Sequence, residues 1–213
     1  MISIQCSKLE SIRSNPAAYG QLLADGNAGK PGGSHGMFAY VQDMARLVHV
    51  NELTVTDAVK ELHNKFIRFA PTNENKTKQA NLVEQFVKYC QQFDKQNFEF
   101  IDGNRLMKWD LTPDTRLTGR TPWVVANENG YFSFILSETN FDWRSQLRFP
   151  LFQHYLVNNT IECDIREMQV GIFSMSSNSF EFKNFSDREL SLLVKDARSI
   201  CTTVYTEFIK RKK

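Results

Sequence analysis

Apolar residues recur at helical spacing in six segments of the chain. Phe38, Val41, Met44, Ala45 and Val48 share one side of a helix predicted over residues 37–50. Leu82, Phe86, Tyr89, Cys90 and Phe93 do the same over residues 74–97. Residues 54–70 form a third such segment, capped by Thr54 or Thr56 and ended by Pro71. Residues 7–24 predict an opening helix with a break near Asn15-Pro16, because proline suits the first turn of a helix and not its middle. Residues 142–159 turn Leu147, Leu151, Phe152, Tyr155 and Leu156 to one side, and Pro150 kinks that helix or makes it start late. Residues 186–213 predict a closing helix, with Ser186 and Glu189 at capping-box spacing and a basic end that suits the helix dipole.

Period-two patterns fill the rest. Asp102-Gly103 separates two short alternating runs within residues 98–111, a hairpin or strand-turn-strand signal. Residues 117–141 predict two strands around the turn Asn127-Glu128-Asn129-Gly130. Residues 166–177 and 179–185 predict two more. Residues 25–36, "DGNAGKPGGSHG", are a loop by composition, and their glycine spacing is not that of a phosphate-binding Walker loop. The order predicts an α/β chain of α+β type, with one central mixed sheet flanked by helices. It reads as a single domain over residues 1–213, mainly helical in 1–97, with the sheet core and closing helix in 98–213.

Composition narrows the class. Seventeen phenylalanines among 213 residues supply an aromatic-rich core, which argues against disorder. A net charge of +2 neither requires nor rules out a nucleic-acid partner, since a local basic groove can sit within a neutral total. Cys6, Cys90, Cys163 and Cys201 form no CxxC pair, and scattered thiols fit a reducing cytoplasm. No apolar run of about 18 residues is present and the start is polar, so the expectation is a cytoplasmic protein without a membrane span.

Four stretches resemble one family: "SKLESIRSNPAAYGQLL", "GGSHGMFAYVQDM", "LTGRTPWVVANENGYFSFILSET" and "WRSQLRFPLFQHYL". Together with the element order, they make the chain resemble the RecB-like branch of the PD-(D/E)XK nuclease superfamily, which includes CRISPR-associated exonucleases. The resemblance implies a nuclease-like fold. It also implies metal-assisted hydrolysis, in which two carboxylates, sometimes a histidine, and a lysine place a divalent ion and water against a phosphodiester.

The catalytic positions do not carry over. The resemblance sets Pro122 where the first acid belongs, Leu136 at the second acid and Glu138 at the lysine. Proline and leucine offer a metal no side-chain ligand, and Glu138 reverses the charge beside the water. His35, in "GGSHG", matches the family's metal-binding histidine as a weak candidate, against a plain loop histidine. Glu128 and Glu138 are the carboxylates left to rebuild a pair, but Glu128 lies in the predicted turn. Pro113-Asp114 and Glu181-Phe182-Lys183 spell the family consensus literally, far apart in sequence. The resemblance thus implies no catalytic residues and no cofactor, with a divalent metal needed only if an active site has moved.

No serine-nucleophile elbow or paired-histidine metal motif is found, and His49 and His63 fall on separate predicted helices. The nucleic-acid candidates are Arg120, Arg144, Arg148 and Lys183, with the basic tail Lys210 to Lys213. Trp123, Trp143 and Phe149 interleave with the arginines, as single-strand binding by phosphate contact and base stacking requires. The competing reading puts these aromatics in the core. The expectation is a catalytically inactive nuclease-like protein, a nucleic-acid-binding or assembly subunit of a nucleic-acid-processing or phage-defence complex. Its partners are then DNA or RNA and neighbouring protein subunits. The alternatives are an active metal-dependent DNA nuclease with a relocated site, and a protein-protein interaction subunit that binds no nucleic acid.

Overall fold

A long hairpin with a corner in its middle organises both sheets of the protein. In a computed structural model, which describes residues 1–28 and 36–213, strand β2 (Glu99–Asp102) runs through Gly103, Asn104 and Arg105 into β3 (Leu106–Thr112). Its mate, β4 (Thr115–Arg120), runs through Thr121 and Pro122 into β5 (Trp123–Asn127). At the corner the Asn104 N–H donates to the Thr121 carbonyl at 3.1 Å, and the Thr121 N–H donates to the Arg105 carbonyl at 2.9 Å. Pro122 has no N–H to continue the ladder. Gly103 lets the chains close on each other, since a Cβ there would lie 2.7 Å from Trp123 Cδ1.

The two halves of the hairpin, on either side of the corner, enter different sheets. With β1 (Ile2–Gln5), the half beyond the corner, β3 and β4, builds a three-stranded sheet in the order β1-β4-β3, where β1 lies parallel to β4 and β3 antiparallel to it. With β6 (Gly130–Ser137), β7 (Met168–Ser174) and β8 (Ser179–Lys183), the other half, β2 and β5, builds a five-stranded sheet in the order β2-β5-β6-β7-β8. Neighbours there are antiparallel except β6 and β7, which are parallel. Two mixed sheets therefore replace the one that the pattern suggests. Asp102-Gly103 has turn chemistry but does not reverse the chain. The Asp102 carboxylate accepts from the Gly103 N–H at 2.7 Å and pairs with Arg105 at 2.7 Å, fixing a corner within a strand. The reversal sits at Pro113-Asp114, between β3 and β4.

The helices form where the spacing places them, and their caps set the ends. After a short 3-10 turn, α1 (Leu9–Arg13) and α2 (Pro16–Ala24) meet at the expected break. The Asn15 side chain accepts from the Ala18 N–H at 3.1 Å, with Pro16 in the first turn of α2. Next come α3 (Met37–His49), α4 (Val55–Phe66) and α5 (Asn73–Lys95). Thr54 caps α4 and Thr72 caps α5 through hydrogen bonds to the third residue on. Helix α6 (Arg148–Asn159) starts late, with Pro150 inside its first turn, and crosses from β6 to the parallel β7. Helix α7 (Asp187–Lys212) begins with the Ser186–Glu189 capping box complete in both directions.

Alternation along the strands divides the interior. Trp123, Val125, Phe132, Phe134, Leu136 and Phe173 face α3, α4 and α5. Val124, Met168, Val170 and Ile172 face the opposite way, against Phe149 and Leu156 of α6 and Leu190 of α7. A third apolar cluster holds the three-stranded sheet: Ile4, Met107, Leu111 and Leu117 pack on α1, α6 and α7. The protein is a mixed α/β fold with helices flanking its mixed sheets. Among the described residues no helix is long and apolar enough to cross a membrane.

Candidate functional site

The corner of the hairpin and the end of β6 form one wall of a cavity of about 230 Å³. Asn104, Arg120, Thr121, Pro122 and Trp123 come from the corner, and Phe134, Ile135 and Leu136 from β6. These residues meet because Trp123 stands opposite Phe134 in the antiparallel ladder, which brings Pro122 and Leu136 to the same end of neighbouring strands. Helix α3 supplies the other wall through Gln42, Asp43 and Arg46. Apolar Val41, Met44 and Ala45 turn inward and anchor that helix on the sheet, so the intervening polar positions are left to face the opening.

Pro122 and Leu136, which the resemblance sets at the two acid positions, both line this cavity and both are buried. Neither carries a donor for a metal. The third, Glu138, lies outside the cavity. Its carboxylate pairs with Lys78 of α5 at 2.8 Å, beside a different hollow. Asp43 is the one carboxylate among the residues lining the cavity. Glu128 sits in the exposed turn between β5 and β6. The two-acid and lysine set implied by the nuclease resemblance is thus not assembled at this place. His35 lies outside the described residues. Among the described residues, no group of three or more His, Cys, Asp or Glu is placed to hold a metal ion.

The cavity instead presents hydrogen-bond donors. The Gln42 amide donates to the Leu136 carbonyl at 3.3 Å, tying α3 to the end of β6. The Arg120 guanidinium donates to the Asn104 carbonyl at 2.7 Å, which fixes its stem at the corner and leaves further N–H groups at the rim. Arg46 stands one helical turn after Gln42 on the facing wall, half-buried. Two guanidiniums and a single carboxylate give this opening a positive balance, a setting suited to an anion.

The other basic candidates do not gather there. Glu181 accepts from the Trp143 indole N–H at 3.0 Å and pairs with Arg144 at 3.0 Å, while the Arg144 guanidinium lies 4.7 Å from the Trp143 ring centre. Lys183 pairs with Glu189 at 2.9 Å and sits over the Phe185 ring. Arg148 packs its guanidinium over Phe141 and Phe149, and burial lowers its pKa. Trp123, Trp143 and Phe149 are buried, so they build the core and offer no stacking platform. In the tail, Lys210 pairs with Glu207 and Arg211 with Asp25. The literal consensus is scattered too: Asp114 is in the β3–β4 turn of the small sheet, and Glu181 is on the far edge strand of the large one.

Arg46, Gln42 and Asp43 escape the sequence reading. Their signal was available, since Gln42 and Arg46 are four apart beside the apolar stripe of α3. Nothing in that spacing says which strand end they face. A scan against protein-family models and a search of curated proteins found no match for the chain.

Proposed function

We propose that the protein is a nuclease-like fold without the nuclease's catalytic residues, serving as a nucleic-acid-binding or assembly subunit of a nucleic-acid-processing or phage-defence complex. One observation carries this reading. Pro122 and Leu136, the positions that the resemblance reserves for two acids, both line a single cavity. The element order supports it: a helix, five strands, a helix and a strand follow one another from α5 to β7, with α6 crossing between parallel strands. Beside Asp43 the cavity offers Arg46 and Arg120, which suit a backbone phosphate.

The test is fluorescence polarisation with labelled single- and double-stranded oligonucleotides at two salt concentrations. The expected result is binding that weakens steeply with salt. Arg46→Ala combined with Arg120→Ala lowers affinity about tenfold and flattens the salt slope by about two counterions. Wild-type binding with unchanged affinity in the double variant overturns the cavity as the contact. No binding to any oligonucleotide leaves assembly alone, to be sought by co-purification with neighbouring gene products.

A relocated active site is favoured by one feature, the carboxylate of Asp43 on the cavity wall. Cleavage of labelled DNA in Mg²⁺ or Mn²⁺ that disappears in Asp43→Ala would establish it.

A further inference from the structure

The corner strand has an outer edge as well as an inner one. β2 ends the five-stranded sheet and β3 ends the three-stranded sheet, so the run from Glu99 to Thr112 keeps one edge without a ladder partner among the described residues. Such edges are templates for further pairing and are usually blunted by charge, by proline or by a covering element. This one carries no proline, and two of the large exposed apolar side chains lie on it: Ile101, 42% exposed, and Leu106, 58% exposed.

The edge is also complementary to itself. Counting outwards from the Gly103-Asn104 peptide, Asp102 matches Arg105, Ile101 matches Leu106, Phe100 matches Met107, and Glu99 matches Lys108. In an antiparallel pair of identical runs with its two-fold axis at that peptide, these residues stand opposite one another, because the extra residue of the bulge between Phe100 and Asp102 brings the outer parts of β2 and β3 into phase. Every acidic side chain in the run 99–108 then faces a basic one, and the two exposed apolar residues face each other. Burial agrees with the match at the three outer pairs, while Asp102 is more buried than Arg105. Glu99, Ile101, Leu106 and Lys108 are exposed, whereas Phe100 and Met107 both pack inward. A slip of one residue would set exposed positions against buried ones and break both charge matches. Asp102 already pairs with Arg105 within the chain at 2.7 Å, so the partner's Arg105 offers it the same contact across the axis.

We propose that this edge joins two copies of the chain, β2 of one protomer pairing antiparallel with β3 of the other. The charge match selects a second copy over an unrelated strand. An arbitrary peptide would satisfy the backbone, but it would not place opposite charges at both Glu99 and Lys108. The proposal does not depend on nucleic-acid binding. The contact is short, so the affinity expected is micromolar, on the order of 1–50 µM.

Sedimentation velocity on the full chain tests it, with circular dichroism to check folding. Wild type sediments as a dimer at about 100 µM and dissociates on dilution. Glu99→Lys and Lys108→Glu each turn two attractions of the symmetric pair into repulsions, and each weakens self-association about tenfold or more. Mixing the two single variants restores a heterodimer, because one then presents two lysines and the other two glutamates along the matched edge. The double variant carrying both reversals in one chain dimerises as wild type does. Both rescues come from exposed positions, so a loss of folding is told apart from a loss of pairing. A monomeric wild type at about 100 µM overturns the proposal. So do single variants that stay dimeric, or a mixture that stays monomeric.

Discussion

His49 and Tyr89 share a hydrogen bond of 2.6 Å inside the helical core, between the imidazole Nε2 and the phenol oxygen. The ring of His49 also stacks on Phe93, with centroids 3.9 Å apart, and meets the edge of Trp123. Burial disfavours a proton there and pushes the His49 pKa down to about 4. The unfolded chain takes that proton near the ordinary value of 6.5. The group's contribution to stability is therefore full above about pH 6.5, declines as the pH falls towards 4, and is constant below. The loss over that window is about 3 kcal/mol. Urea titrations between about pH 7 and pH 4 check it: His49→Phe removes this slope while the carboxylates' own slope stays. An unchanged difference between wild type and variant across that range would refute the assignment. Tyr89→Phe leaves the imidazole without its partner and costs about 1–2 kcal/mol at neutral pH.

Gly171, in the middle of β7, has no room for a side chain. A Cβ there would sit 1.8 Å from the carbonyl oxygen of Glu181 on β8. Since the obstacle is backbone, it cannot swing aside as a side-chain tip can. Gly171→Ala should cost more than about 3 kcal/mol or prevent folding, read from the denaturant midpoint and the yield of soluble protein.

The thiols should react at very different rates. Burial raises Cys6, Cys90 and Cys201 to about 12, so little thiolate is present at neutral pH. Burial and the nearby Glu167 and Asp164 raise Cys163 as well, but it is half-buried and the most accessible of the four, so access sets the contrast. A thiol-disulfide reagent should modify one cysteine rapidly in the native protein and the other three only on unfolding. Cys163→Ser should abolish the fast phase. Two or more fast thiols in wild type would contradict this.

Glu138 should prove dispensable for ligand binding. Its carboxylate pairs with Lys78 at the surface, away from Arg46 and Arg120. Glu138→Ala should leave oligonucleotide affinity unchanged and lower stability by less than about 1 kcal/mol. A loss of affinity as large as that of the arginine variants would bring Glu138 back into the site.

What could be read in the chain follows from the range of the forces involved. The helices α3, α4, α5 and α7 came through clearly because periodicity and caps lie within a few residues of one another, as Ser186 and Glu189 do. The late start of α6 was readable from Pro150 for the same reason. The strand β1 was hidden. Ile2 and Ile4 alternate correctly, but only a distant partner makes four residues a strand. The corner at Gly103 was misleading, because Asp-Gly carries the same local chemistry whether the chain reverses or bends. The same division holds at the site. Pro122 and Leu136 were singled out by the family's spacing alone, and only the pairing of β5 with β6 brings both to one cavity. Arg46 was missed because its place depends on how α3 rests on the sheet. Arg144 and Lys183 were assigned by type, and only tertiary structure reveals the carboxylates that already neutralise them.

The parallel pairing of β1 with β4 sets Ile2 opposite Thr115 and Gln5 opposite Thr118. During synthesis the intervening helices leave the ribosome before that partner strand exists. They can collapse on one another early, while β1 stays tethered to them and idle. Completion of the small sheet is thus a late, long-range event in the life of each new molecule. An obstruction fused just before Ile2 should trouble assembly of the chain more than it troubles the finished fold.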